Sequence, residues 1–300
     1  MSAPESAEPT PAGPTPVDSG PPLAITVAPN GARRGKADHP ALPITPEDMA
    51  AEAPRWRDGG AAMLHLHVRD QEGKHSLDPG RYRESIAAVR EAVGQDLVIQ
   101  ATSEAAGIFT AEEQIAAIRA LQPEAVSMAV RELFPRGTET APARDFLAWC
   151  REAEVSVQFI LYDSDDLLRF YELRNERAIP AYRSFLLYVL GRYTGGQVAA
   201  PFELLPFLQE TDPALERDPW AVCAFGPRES ACTMAAAALG GHVRVGFENN
   251  LHLPGGAVAA DNTALVAAAA DGARAIGRPL ADAAALRQWM RDWAGQELGA

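Results

Sequence analysis

The chain has 300 residues, of which 47% are hydrophobic and 22% charged, enough apolar material to bury a large globular core. A formal net charge of -13 excludes bulk attraction to phosphate backbones or anionic membranes, so neither nucleic acid nor membrane is an expected partner. Cys150, Cys223 and Cys232 form neither a ligand-spaced pair nor a disulfide framework, and a reducing, cytoplasmic setting is the expectation.

In chain order, residues 1–22 (MSAPESAEPTPAGPTPVDSGPP) have no basic start and no apolar run, and read as a disordered Pro-rich tail rather than a signal peptide. Residues 23–300 read as a single catalytic domain in which apolar, β-favouring runs alternate with amphipathic helical stretches. Strands are expected at 23–29, 61–68, 97–101, 124–129, 155–161, 184–190, 219–224 and 242–247. Helices are expected near 46–58, 79–93, 110–121, 142–153, 164–176, 202–210, 228–239 and 261–276. Thr45 before Pro46, and Thr110 three residues before Glu113, supply N-cap signals. Such a run of strand–helix units, with no Gly-rich phosphate fingerprint after any strand, predicts an α/β fold of the (β/α)8 TIM-barrel type rather than an open Rossmann sheet. The segment from Leu280, with Trp289 and Trp293, predicts an extra C-terminal helix that covers the barrel or meets another subunit.

The second strand carries AAMLHLHVRD. His65 and His67 are two residues apart, so on a strand both point to one face, at the end where barrels place their active sites. The alternative is a pair of hydrogen-bonded core histidines, with Arg69 and Asp70 as a structural ion pair. The last strand, HVRVGFENN, places Arg244, Gly246 and Glu248 on one face, with Gly246 leaving space between the two charges. A buried Glu248 needs a cation: either Arg244 alone, or a divalent metal shared with the two histidines, a donor set that suits zinc.

The segments APNGARR (28–34), LPITPEDMA (42–50), GAAMLHLHVRDQEGKHSLD (60–78), IQATSE (99–104) and GGHVRVGFENNLHLPGG (240–256) resemble the β-keto acid cleavage enzymes, over about residues 23–279. The resemblance implies a reaction between a β-keto acid and acetyl-CoA as co-substrate, giving acetoacetate and a new CoA thioester. It implies zinc, or another divalent metal, held by His65, His67 and Glu248, and a homo-oligomer. Thr102 and Ser103 are candidate donors to a substrate carboxylate, or else make local turn hydrogen bonds.

Three departures from the family pattern matter. Where the family has an aspartate that works with the arginine at position 244 in proton transfer, this chain has Asn249, and an amide is no base at neutral pH. Glu104 and Glu132, on loops after the third and fourth strands, are the candidate substitutes. Where the best-known member, which cleaves 3-keto-5-aminohexanoate, has an acidic residue for its substrate's ammonium group, this chain has Arg33. A substrate with a neutral or anionic end is therefore expected, unless Arg33 points to solvent like its neighbour Arg34. The fifth strand has Gln158 and Ile160 where acidic residues are frequent, and keeps Asp163. His75, His242 and His252 read as structural or surface residues and Cys223 as core. Two other functions share the motif: a metal-dependent hydrolase of the amidohydrolase type, and a non-catalytic ligand-binding barrel.

Overall fold

The computed structural model describes residues 20–209 and 218–296, so only residues 20–22 of the expected tail are met. The eight apolar runs form strands β1 (Ile25–Val27), β2 (Met63–Leu66), β3 (Val98–Thr102), β4 (Ala125–Ala129), β5 (Ser156–Leu161), β6 (Phe185–Leu190), β7 (Trp220–Ala224) and β8 (His242–Val245). Each pairs in parallel with its chain-order neighbour, and β1 closes on β8 through Ile25↔Val243 and Thr26↔Arg244. This is the closed eight-stranded (β/α)8 barrel.

Alternation along each strand divides the apolar residues between two cores. Ile25, Val27, Leu64, Ile99, Val126 and Phe159 pack outward against the helices. Met63, Val98, Ala125, Phe185, Leu187 and Ala221 fill the interior. The same period of two puts His65, Gln100, Ser127, Gln158 and Arg244 inside, all of them buried.

The surrounding helices are α1 (Pro46–Gly59), α2 (Pro79–Val93), α3 (Ala111–Leu121), α4 (Ala141–Glu152), α5 (Ser164–Asn175), α6 (Leu205–Gln209), α7 (Glu229–Ala238), α8 (Asn262–Ala275) and α9 (Ala283–Gly295). Thr45 and Thr110 both close capping boxes, with Asp48 and Glu113. The expected helix at 202–210 is instead a 3-10 turn, Pro201–Leu204, followed by α6, and residue 210 lies outside the described residues. Pro206 has no N–H to continue an i→i−4 ladder, which accounts for the break. A small hairpin of Val68–Arg69 with His75–Ser76 and a single helical turn, Val130–Leu133, were not anticipated, being too short to show a period.

The eighth strand is shorter than expected. It stops at Val245 because Gly246 adopts φ +139, where a Cβ would lie 2.4 Å from the Ala28 carbonyl oxygen. Gly246 therefore serves a close backbone crossing and does not open space between Arg244 and Glu248. Glu248 turns inward through the reversal at 246–249, not through strand alternation.

The C-terminal helix α9 seals the N-terminal end of the barrel. Leu286 and Met290 join the interior core, Trp289 stacks on His242 at 5.5 Å, and Trp293 tilts against Phe185 at 5.2 Å. The structural reading of His242 fits: its Nδ1 accepts from Ala24 N (3.1 Å), and burial pushes its pKa down to about 3. Arg278 donates to the carbonyls of Pro21 (2.8 Å) and Gly241 (2.6 Å), fastening the last tail residues to this floor. Among the described residues no helix is long and apolar enough to cross a membrane.

If α9 is part of the barrel core, Leu286→Ala, at a site 0% exposed, costs about 2–5 kcal/mol of unfolding free energy by chemical denaturation. A loss well below that range would show that α9 is only an accessory cover.

Candidate metal centre and active site

Three side chains converge at the C-terminal mouth of the barrel. His65 lies near the end of β2, His67 just beyond it, and Glu248 comes from the turn after β8. The Nε2 atoms of the two histidines lie 3.1 Å apart, at 3.5 Å (His65) and 3.4 Å (His67) from Glu248 Oε2. Both imidazoles are 1% exposed and the carboxylate 12%. Among the described residues these are the ones whose donor atoms gather closely enough to hold a metal ion.

The donors are prepared by their neighbours. Gln100, opposite His65 in the β2–β3 register, accepts a hydrogen bond from His65 Nδ1 through Oε1 (2.8 Å), which leaves the Nε2 lone pair aimed at the centre. Gln100 Nε2 in turn donates to Gln158 Oε1 (3.1 Å) on β5. Burial pushes the His65 pKa down to about 3, so the ring is neutral and able to ligate throughout the neutral range.

Burial works to raise the Glu248 pKa, but the Arg244 guanidinium, His65 and His67 together outweigh it and hold the carboxyl well below its usual range. Arg244 reaches only one oxygen, with Nη2 at 3.0 Å from Oε1. Oε2 has no hydrogen-bond partner among the described residues, and neither does His67 Nδ1. A buried, ionised oxygen facing two imidazole nitrogens is the environment a divalent cation fits. The salt bridge and the metal reading are thus compatible, one at each oxygen.

The loop after β1 forms one wall. Gly31 has φ +61, and a Cβ there would stand 2.5 Å from Glu248 Cγ, so glycine lets the loop lie against the carboxylate. Arg69 was expected to pair with Asp70. Instead it donates to the carbonyls of Gly31, Arg34 (3.0 Å) and Gly73 (3.1 Å), while Asp70 accepts from the backbone of Glu72 and Lys74. Asn262 bridges the two walls, accepting from Phe247 N (2.8 Å) and donating to Pro29 O (3.1 Å). Glu229 accepts from Gly246 N (3.2 Å) and Asn250 Nδ2 (3.1 Å), and burial raises its pKa to about 8.

Arg33, Thr102, Glu104, Arg244 and Glu248 line one pocket of about 170 Å³ together with His65. Arg33 pairs with Glu104 (3.2 Å) at the rim, and the other Glu104 oxygen lies 3.9 Å from His67 Nε2. Arg34, expected at the surface, is half-buried, lines the pocket and donates to Phe247 O. Four expected residues are not among the lining: His67, which meets Glu248 behind His65, and three others. Ser103 is turned away, donating to Gln114 Oε1 (3.2 Å) and Ser127 O (3.3 Å). Glu132 accepts from Ala105 N (2.9 Å), and burial raises its pKa. Asn249 is fully buried, and neither side-chain polar atom has a partner among the described residues. The expectation did not include Asn30, Tyr162 or Arg192, which also line the pocket. Gln100 was the most accessible of the missed residues, since alternation from Val98 puts it inside beside His65.

A family model described as beta-keto acid cleavage enzyme matches residues 22–291. The chain is 30% identical over 275 residues to the 3-keto-5-aminohexanoate cleavage enzyme of Fusobacterium nucleatum subsp. nucleatum, covering 89% of this chain and 96% of that one. It is 25% identical over 272 residues to the 3-oxoadipate:acetyl-CoA acetyltransferase of Cupriavidus necator, covering 89% and 93%. Among solved structures, the ternary complex of ObcA with C4-CoA adduct and oxalate superimposes with a TM-score of 0.67 at 17% identity. That match covers 84% of this chain and 68% of the other, and is a likeness of fold.

Two outcomes follow from these contacts. Gln100→Leu removes the acceptor that orients His65 and is expected to weaken divalent-metal binding about 10–100-fold in a chelator competition; unchanged affinity would place Gln100 outside the ligand support. The Glu229 pKa is raised from 4.5 to about 8, so its contribution to stability is fully present below pH 4.5 and is lost as pH rises through about 8. Glu229→Gln should flatten the pH dependence of unfolding free energy across that window, and an unaltered profile would contradict the assignment.

Proposed function

The chain belongs to the β-keto acid cleavage enzyme family and is an enzyme acting on β-keto acids; from that premise we propose that it transfers the acyl group of a β-keto acid to CoA while converting acetyl-CoA to acetoacetate. The observation that carries this reading is the convergence of His65, His67 and Glu248 beside Arg244, with His65, Arg244 and Glu248 lining the pocket. His65, His67 and Glu248 would hold a divalent ion, zinc by donor type, and the chemistry it supplies when bound is Lewis-acid polarisation of the keto oxygen. Family membership sets aside the amidohydrolase reading and the non-catalytic barrel.

The chain's own residues divide the remaining work. Arg244 has no partners at Nε and Nη1 among the described residues while Nη2 holds Glu248, so it can meet negative charge that develops on the substrate. Burial opposes its charge, but Cys223 and Glu248 beside it raise its pKa further, and it stays a cation. Thr102 Oγ1 accepts from Glu104 N (3.1 Å) and lines the pocket, so its hydroxyl proton remains for a substrate carboxylate. Asn249 cannot accept a proton, and its place outside the lining gives it a packing role. Of the two candidate carboxylates, Glu104 lines the pocket and Glu132 is taken up by Ala105 N, so Glu104 is the assigned base.

Glu104 takes a proton from the C2 methylene of the β-keto acid. The resulting carbanion attacks the acetyl thioester carbon, a carbon–carbon bond forms, and the CoA thiolate departs. The thiolate adds to the original keto carbon, the C2–C3 bond breaks, and the second carbanion recovers the proton from Glu104. Atoms balance: acetoacetate and a new acyl-CoA leave.

Arg33 stands at the pocket rim against Glu104. An anionic or neutral substrate tail can share its guanidinium, whereas an ammonium tail meets a like charge. The named relatives span both cases, one acting on an aminohexanoate and one on 3-oxoadipate.

The proposal is tested by following acetoacetate while purified enzyme and acetyl-CoA meet a panel of β-keto acids; absence of turnover with every member contradicts it. Arg244→Ala is expected to keep fold and metal but lower kcat about 10²–10³-fold, whereas joint loss of thermal stability and metal would mark a purely structural ion pair. For Arg33, kcat/KM should favour neutral or dicarboxylic substrates over the cationic one, and Arg33→Glu should reverse that order. A wild-type preference for the cationic substrate rules the idea out.

A further inference from the structure

Along β5, Ile160 faces the barrel interior, and the same alternation carries Tyr162, the residue after the strand, into the pocket that His65, Glu104, Arg244 and Glu248 line. The ring of Tyr162 is held in place. The Arg131 guanidinium lies 4.8 Å from its centroid, and Tyr193 meets it edge-on at 5.3 Å. Arg131 is itself fixed, donating from Nε to both Asp166 oxygens (3.1 and 3.0 Å) and from Nη2 to Asp163 (2.8 Å). Asp166 also accepts from Tyr162 N (2.9 Å), so ring and cation share one anchor.

The hydroxyl, by contrast, makes no hydrogen bond among the described residues. Glu132, Glu104, Tyr193 and Arg244 are the titratable groups whose charge it feels. Burial first, then the two carboxylates and Tyr193, push its pKa well above the usual tyrosine value against the pull of Arg244. At neutral pH it is an uncharged O–H donor on a fixed ring, in a reaction pocket, with nothing in the protein to donate to.

The proposed reaction has a place for such a donor. Thr102 is placed for the substrate carboxylate and Glu104 for the C2 proton, and of the groups given a part only Arg244 is free to meet the acetyl oxygen. When the C2 carbanion attacks the acetyl thioester carbon, the carbon–carbon bond forms as the carbonyl π pair moves onto that oxygen. The oxyanion then collapses, the carbonyl re-forms and the CoA thiolate leaves. We infer that Tyr162 is a catalytic residue of this reaction, its hydroxyl donating to the acetyl oxygen as that oxygen becomes an oxyanion, with Arg244 facing the same oxygen. The phenol keeps its proton throughout, and the contact strengthens as charge develops, which is how a fixed donor lowers a barrier. The inference rests on the proposed reaction.

Tyr162→Phe keeps the ring and removes a hydroxyl that bonds no protein group, so Tm and metal content should stay at their wild-type values. It is expected to lower kcat for acetoacetate formation about 10²–10³-fold with KM for acetyl-CoA nearly unchanged, the pattern of a contact made in the transition state. Tyr193→Phe, which removes the neighbouring exposed hydroxyl, should keep wild-type kcat. A second readout needs no turnover: calorimetric titration with S-carboxymethyl-CoA, which carries an anionic oxygen near the place of the acetyl oxygen, and with S-ethyl-CoA, which carries none. Wild type should bind the first more tightly, Tyr162→Phe should bind it about tenfold more weakly than wild type does, and S-ethyl-CoA should bind both proteins alike. If wild type forms no acetoacetate yet Tyr162→Phe shows that tenfold loss, the proposed reaction fails and the hydroxyl stands as an oxyanion donor. The inference is overturned if kcat of Tyr162→Phe stays within about threefold of wild type, or if S-carboxymethyl-CoA binds both proteins equally or binds neither. An equal loss of kcat in Tyr193→Phe, or a loss in Tyr162→Phe that comes with lowered Tm and lost metal, overturns it too.

Discussion

A carboxylate held away from water beside two neutral imidazoles is the constraint on which the rest of this barrel depends. Leaving a buried charge uncompensated costs several kcal/mol, and Arg244 compensates only one of the two Glu248 oxygens. The other oxygen and the two histidine nitrogens share a small space in which no hydrogen-bond pattern satisfies them all. A divalent cation, as proposed above, would resolve that conflict.

Much of the surrounding architecture serves to keep these groups in place. The loop after β1 and the turn after β8 press together so closely that Gly31 and Gly246 have no room for a Cβ. Arg69 fixes the loop by its carbonyls, Asn262 spans loop and turn, and Glu229 anchors the turn from the first turn of α7. None of these residues carries chemistry. Each removes a freedom that would let Glu248 swing toward solvent, which is why the ligand geometry is supplied by backbone as much as by side chains.

The period-two and period-3.6 patterns made the eight strands and most helices legible, because they are long enough to repeat, and the same alternation led to His65 and Arg244. Glu248 does come to lie beside His65 and His67, but through the turn at 246–249 and not through the strand alternation from which that was expected. What sequence alone hid were contacts between distant segments. Arg69 was assigned to its neighbour Asp70 because adjacency is visible in a sequence, while carbonyls presented by another loop are not. Ser103 and Thr102 are adjacent and chemically alike, yet consecutive strand residues face opposite sides, and only Thr102 reaches the pocket.

The account places metal binding, proton transfer and tail recognition in one pocket, with Arg33 and Glu104 linking the last two, but all of it presupposes the cation at the base. Elemental analysis of purified wild-type protein, alongside folded His65→Ala and Glu248→Ala variants, tests that most directly. The account predicts about one divalent ion per chain in wild type and background levels in both variants, as three convergent ligands define a single site. Metal-free wild-type protein after divalent-metal supplementation, or variants that retain the ion unchanged, would contradict it.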